Sequence, residues 1–328
     1  MLTDSNILTV SNLKTYFFTQ RGIVKAVNGT NFELKRGECL CLVGESGCGK
    51  SVTALSILRL FESPPGMIVE GDITYENQDL VNMPIKDLRS IRGKEIAMVF
   101  QDAQSALNPV FTIGDQIVEQ IRIHDDIGRI KARDKAIDLL KQMGIPDADR
   151  AYSSYPHQLS GGMRQRSMIA MSLSCEPIIL IADEPTTAVD VTIKAQILDL
   201  FIELKAKRNM SIIFITHDLG VVSEIGDRAV VMYGGEDVET APVREIIENP
   251  LHPYTRSLLS CLPDISETSQ RLCSIPGSTP NPVELPSGCT FYPRCPEIRG
   301  ICSERKPVKI QINQNHWVSC HLTMRSNS

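Results

Sequence analysis

Three short stretches of this chain place side chains that can handle phosphate at informative spacings. Gly44-Glu45-Ser46-Gly47-Cys48-Gly49-Lys50-Ser51 fits the pattern G-x-x-x-x-G-K-S/T. Its glycines let the backbone curl with N–H groups inward, and a helix starting at its end adds a positive N-terminus. The segment through Val52 therefore predicts an anion cradle. Lys50 is expected to reach the β- and γ-phosphates of a nucleotide, and Ser51 to ligate Mg2+. Cys48, at a spacer position, is either a redox-sensing thiol or a tolerated small side chain. The second stretch, Ile178-Ile179-Leu180-Ile181-Ala182-Asp183-Glu184, is an apolar run ending in two carboxylates. Asp183 is expected to hold Mg2+ through its water shell, and Glu184 to polarise an attacking water. The third, Leu159-Ser160-Gly161-Gly162-Met163-Arg164-Gln165, lies just upstream of that run.

Such residues need strands to carry them and helices to cover the strands. Ile7 to Val43 reads as short β segments, the last being Cys39–Val43, which runs into the phosphate loop. Ser51–Leu60 continues as a helix with Val52, Leu55 and Leu58 at helical spacing. Ile73–Tyr75 and Ile96–Phe100 read as strands. The pattern then turns helical from Asp102 to Cys175, with Ala136, Leu139, Leu140 and Met143 on one face. Strands follow at Ile178–Ala182, Ile212–Ile215 and Ala229–Met232, with a helix from Thr192 to Arg208 between the first two. Strands alternating with helices imply an α/β fold with a mostly parallel sheet covered on both faces. Leu262–Ser287, rich in Pro, Ser and Gly, reads as a linker. The expected organisation is a domain over 1–261 and an extension over 262–328.

With 328 residues, 42% hydrophobic, the chain can bury one large core and a smaller appendage. The net charge of -5, without a basic tail or stripe, argues against nucleic acid. Met1-Leu2-Thr3-Asp4-Ser5 has no basic start leading into an apolar block, so no secretory signal is expected. No uncharged apolar run approaches the roughly 20 residues of a spanning helix. Any membrane role must therefore come through docking on other subunits. Among ten cysteines, Cys289, Cys295, Cys302 and Cys320 crowd the C-terminal end. Without a secretory signal such a cluster reads as metal binding before disulfides.

The L-S-G-G-x-x-Q segment resembles the signature of ATP-binding-cassette (ABC) ATPases, and the other motifs follow in that family's order from roughly Ile7 to Asn249. The resemblance implies an ABC-type P-loop core with an N-terminal antiparallel β part and a helical subdomain at about 102–175. Ser160, Gly161, Gly162 and Gln165 are then expected to cap the γ-phosphate of ATP held by a second cassette. Gln101, after the Ile96–Phe100 strand, matches the glutamine that touches Mg2+ or water and links core to helical domain. His217, in Ile215-Thr216-His217-Asp218, matches the histidine that contacts the γ-phosphate, and Thr186–Asp190 resembles the D-loop. Phe17, with Phe18 as alternative, is expected to stack on adenine. His124, His157 and His252 lack such context and are read as structural.

Closer resemblance is to the ATP-binding subunits of bacterial dipeptide and oligopeptide importers. It rests on Phe100-Gln101-Asp102 leading to Leu107-Asn108-Pro109, on Asn249-Pro250-Leu251-His252-Pro253-Tyr254-Thr255, and on Leu285–Pro296. Gln104-Ser105-Ala106 and Val189 depart from the usual Met-Thr-Ser and Leu. The resemblance implies ATP and Mg2+, a second cassette, two transmembrane permease subunits, a solute-binding protein, and a peripheral place on the cytoplasmic membrane face. The tail spacing C-x5-C-x6-C-x17-C fits neither paired zinc knuckles nor a ferredoxin run. Family likeness implies a 4Fe–4S cluster on these four cysteines, with Zn2+ or free buried thiols as alternatives. An importer for nickel or another small solute would carry the same cassette. A ribosome- or DNA-directed cassette would be expected to show two cassettes or a coiled-coil insert.

Overall fold

The structure is a computed structural model that describes residues 6–186, 191–261 and 274–323. The strands, in chain order, are β1 Asn6–Thr19, β2 Gly22–Lys35, β3 Cys39–Val43, β4 Gly66–Tyr75, β5 Gln78–Asp79 and β6 Ile96–Val99. They continue with β7 Ile179–Asp183, β8 Ser211–Thr216, β9 Arg228–Tyr233, β10 Glu236–Pro242, β11 Ile310–Asn313 and β12 His316–Val318. The chain divides into two compact units. One comprises Met1–Lys35, Cys39–Asn82 and Ile215–Ser328; the other comprises Arg36–Glu38 and Met83–Phe214.

In the first unit, β1, β2, β4 and β5 form an antiparallel sheet in the order β2-β1-β4-β5. The expectation of short β segments is corrected here: β1 and β2 are each 14 residues long. Asn12 adopts φ 46° and the β1–β2 register shifts between Val10 and Leu13. An irregularity of this kind breaks the apolar alternation, which makes one long strand read as two short ones. A second run of strands has the order β11-β12-β10-β9-β3. β3 pairs parallel with β9, Leu40 facing Arg228 and Val43 facing Val231, and all five β3 residues are buried. Burial on both faces explains its unbroken apolar sequence. β9 turns into β10 across Gly234-Gly235, both at positive φ, a two-residue connection suited to a twisted hairpin. The tail hairpin β11–β12 then pairs with β10, Glu239 opposite Val318.

The stretch read as a linker lies outside the described residues up to 273. From 274 onward it is tied down instead: the Lys25 N–H donates to the Pro282 carbonyl at 2.9 Å. Phe291 of the tail is wholly buried against Tyr233 and Tyr254, with ring centroids 5.1 and 5.2 Å away. Burying an aromatic ring of this size supplies much of a small extension's attachment energy.

In the second unit the strands run β8-β7-β6, with β6 and β7 parallel and Ile96 opposite Ile179. Its helices are Ile85–Ile91, Ala103–Ala106, Ile113–His124, Arg129–Gln142, Ala148–Ser153, Gly161–Ser172 and Val191–Arg208. The helical reading of 102–175 is thus met by five helices. The predicted face of Ala136, Leu139, Leu140 and Met143 is buried throughout. The Thr112 hydroxyl caps the Ile113 helix by accepting from the Asp115 N–H at 3.1 Å, which fixes where that helix starts.

Candidate functional site

The phosphate loop leaves β3 at Gly44 and enters the helix Lys50–Ile57. Two of its glycines are required by close approach. A Cβ on Gly44 would lie 2.3 Å from the Met232 carbonyl, and one on Gly49 would lie 2.4 Å from the Ala26 carbonyl. Both also sit at positive φ, 155° and 102°. Gly47 has φ 80° with nothing within 4 Å of a Cβ, and with Ser46 it forms the exposed tip of the loop. Cys48 is buried, and burial pushes the pKa of its thiol up. Lys50, 4% exposed, folds its ammonium onto its own loop, donating to the Gly44 carbonyl at 2.7 Å and the Glu45 carbonyl at 3.0 Å. Ser51 and Val52 are half-buried at the helix start.

Glu45, read as part of the phosphate cradle, is engaged elsewhere. Its N–H donates to the Tyr254 hydroxyl at 2.9 Å, and its carboxylate accepts two bonds from the Arg294 guanidinium, at 2.6 and 3.1 Å. The Arg294 side chain is 4% exposed and also donates to the carbonyls of Ile275 and Pro276. Its guanidinium is held above its usual pKa, chiefly by the bond to Glu45. Sequence reading assigned no part to Arg294 or Tyr254, although both lie in segments that carried the resemblance.

Elsewhere in this unit, His217 is exposed at the end of β8, in a turn fixed by its neighbours. The Asp218 N–H donates to the Thr216 hydroxyl at 3.0 Å, and the Asp218 carboxylate caps the next helix at Gly220. Phe17 is half-buried, its ring edge-to-face with Phe61 at a centroid separation of 6.0 Å, while Phe18 is 48% exposed. His252 is structural, as expected. It is fully buried and caps the helix Pro253–Ser260 by accepting the Tyr254 N–H at 3.0 Å.

The second unit brings two of the expected catalytic residues together. β7 ends at Asp183, 5% exposed, and Glu184 follows with φ 45°, in the left-handed region. A non-glycine residue there costs on the order of 1–3 kcal/mol, and such strain concentrates at functional sites. The exposed Gln101 donates from Nε2 to the Glu184 carboxylate at 3.0 Å, which orients it. Ser160 is the N-cap of the helix Gly161–Ser172, its hydroxyl accepting from the Met163 N–H at 3.3 Å. Gly161 is exposed with open space around a Cβ position, whereas Gly162 is buried against Ile193. Gln165 is buried too, donating to the Pro185 carbonyl at 2.8 Å. Its side chain ties the signature helix to the turn after Glu184. Of the expected D-loop, Thr187 to Asp190 lie outside the described residues.

The tail cysteines do not bear out a metal-binding extension. Cys289, Cys295 and Cys320 all have raised pKa values, Cys289 pushed up to about 12, from burial first and from the neighbouring cysteines as a lesser cause. The mutual influence of their charges places these thiols in one neighbourhood. Among the described residues, no three Cys, His, Asp or Glu side chains are grouped so as to hold a metal ion. His316 and His321 are also occupied: His316 pairs with the buried Glu239 at 2.7 Å, and His321 lies 2.9 Å from the Arg305 carbonyl.

A glycine cradle on one β-strand and a carboxylate pair ending another define a P-loop nucleoside-triphosphatase of α/β architecture. Residues 27–187 match the family described as ABC transporter, and residues 238–302 match that described as oligopeptide/dipeptide transporter, C-terminal region. The chain is 48% identical over 318 residues to the oligopeptide transport ATP-binding protein AppD of Bacillus subtilis, 97% of each chain being covered. It is 47% identical to the probable peptide ABC transporter ATP-binding protein y4tR of Sinorhizobium fredii, covering 96% of this chain and 94% of that one. It is also similar to the dimeric post-hydrolysis structure of the ATP-binding cassette MJ0796 bound to ADP and Pi. There the TM-score is 0.66 at 27% identity, over 72% of this chain and 99% of that chain. The chain therefore belongs to the ABC transporter family, as an ATP-binding subunit of the oligopeptide/dipeptide group, and it is an ATPase.

Proposed function

We propose that this chain is the ATP-hydrolysing subunit of an importer for di- and oligopeptides. It pairs with a second cassette, identical or homologous, and rests on the cytoplasmic face of the membrane against two permease subunits. A solute-binding protein on the far side delivers the cargo. The observation that carries the reading is the extent of likeness to peptide-transport ATP-binding proteins, which runs through the tail as well as the ATPase core. Among the described residues no helix is long and apolar enough to cross a membrane, which fits a subunit that docks on others. A groove of about 600 Å3 on the second unit, lined by Phe111, Val118, Arg122, Ile123 and Arg129, suits a permease helix; Ile123 is 66% exposed.

In this proposal Lys50 and the loop amides of Ser46 to Ser51 bind the triphosphate, and Phe17 or Phe18 stacks on adenine. Hard oxygen donors suit Mg2+, and Ser51 with Asp183, assisted by Gln101, would hold it. The ion would supply charge neutralisation on the phosphate oxygens. Glu184, oriented by Gln101, takes a proton from water as the water oxygen bonds to the γ-phosphorus and the bond to the bridging oxygen breaks. His217 contacts the γ-phosphate. Ser160, Gly161 and Gly162 of the other cassette close the site, with Gln165 holding their helix in place. The 4Fe–4S cluster or Zn2+ expected on Cys289, Cys295, Cys302 and Cys320 is left outside this proposal, for want of a metal-holding group among the described residues.

Disrupting the gene tests the cargo. Uptake of labelled di- and oligopeptides should be lost and restored by the intact chain, not by its Lys50→Ala variant. Loss of nickel uptake with peptide uptake intact would overturn the peptide reading.

A further inference from the structure

A carboxylate in a loop that receives a triphosphate is electrostatically adverse, because two anions are brought together where water is partly excluded. Glu45 is such a residue, second in the loop Gly44–Ser51. Three contacts surround it. Its N–H is taken by Tyr254, its carbonyl accepts from Lys50, and its carboxylate is forked by Arg294, 249 positions away. The Arg294 side chain is nearly buried and locked by two carbonyls and by the Tyr233 hydroxyl at 3.2 Å. A planar guanidinium already fixed by these three groups gives up little freedom to hold a carboxylate in one bidentate geometry. From these contacts we infer that Arg294 is a positioning residue for ATP, supplied by the C-terminal extension, which neutralises Glu45 and turns it away from the incoming phosphates. The extension is thereby part of the nucleotide site's construction as well as an attachment.

Three consequences follow from charge rather than from folding. Removing Arg294 exposes a carboxylate to the triphosphate and weakens ATP binding. Neutralising Glu45 in the same chain removes the repulsion and restores it. Neutralising Glu45 alone leaves affinity undiminished, since no carboxylate remains to repel. A tail that merely glued the loop in place would show the opposite: each change would loosen the loop, and the two together would be at least as harmful as either.

The inference rests on the phosphate-loop reading of Lys50, so the experiment keeps the two apart. Full-length chain and its Lys50→Ala, Arg294→Ala, Glu45→Gln and Arg294→Ala/Glu45→Gln variants are titrated with MgATP by calorimetry, with steady-state hydrolysis measured alongside. Arg294→Ala should weaken affinity about tenfold, as expected for one unmasked charge near a surface-accessible anion. It should raise KM by a similar factor with little change in kcat, and the double variant should return to within about twofold of the unmodified chain. Affinity unchanged in Arg294→Ala, or a double variant as weak as Arg294→Ala, would overturn the inference. To separate loss of charge from local unfolding, Arg294→Lys serves as a second probe. It keeps the charge without the fork and should bind ATP more tightly than Arg294→Ala; equal weakness in both also overturns it. Unchanged affinity in Lys50→Ala would instead remove the phosphate-loop reading itself.

Discussion

Between Gly44 and Ser51 the residue types act on the backbone path that contains them. A Cβ on either of two glycines would come within 2.4 Å of a carbonyl oxygen, and the lysine bonds to its own loop. Between Cys289 and Cys320 the residues that stand out in the sequence are not the ones that organise the structure. The extension is held by Phe291 against two tyrosines, by Arg294 on Glu45, and by His316 on Glu239. The glycines and lysine of the Gly44–Ser51 motif, lying within eight consecutive positions, can be read directly. A site completed by partners 77 or 249 positions away cannot, because nothing in local spacing records the pairing.

The contrast can be broken first at Glu239. This carboxylate has no exposed surface; burial alone would raise its pKa, but hydrogen bonds, led by that from His316, bring it below its ordinary value. His316→Ala leaves it buried with one partner fewer, and the loss should be about 3–5 kcal/mol in urea unfolding. A loss under about 1 kcal/mol would show that the tail cysteines or another contact, not this pair, fasten the extension.

A somewhat smaller effect is expected at His252. Burial depresses its pKa from 6.5 to about 4, so the folded state resists a proton that the unfolded chain takes up. Stability should therefore be full above about 6.5 and decline as pH falls toward 4, by about 3 kcal/mol in all. His252→Asn keeps an N-cap acceptor without the titration and should flatten the profile over that window. An unchanged slope in that variant would assign the pH dependence elsewhere.

Much of the fold was legible. The buried strands β3, β7 and β8 appear in the sequence as apolar runs because both their faces are covered, and the helical face Ala136–Met143 has the period of its packing. Where the reading failed, a specific local feature intervened. Asn12 at positive φ hid the length of β1, and the Pro- and Ser-rich stretch read as a spacer uses its carbonyls to grip Lys25 and Arg294. Glu184 and Gln101 were visible as types after apolar strands, but their 3.0 Å bond and the strained backbone at Glu184 are properties of three dimensions only. The ligand reading of the four cysteines rests on their crowding and on family resemblance, and among the described residues no metal-holding group forms around them.

The proposed chemistry turns on Glu184, aimed by Gln101, activating the water that cleaves ATP. The most direct measurement compares MgATP binding and phosphate release for the intact chain and its Glu184→Gln variant under the same conditions. Binding should stay within a few-fold of the intact chain while hydrolysis falls by about 10²–10⁴, the usual contribution of a positioned general base. Hydrolysis at the unmodified rate, with binding intact, would contradict it and place the base on another residue.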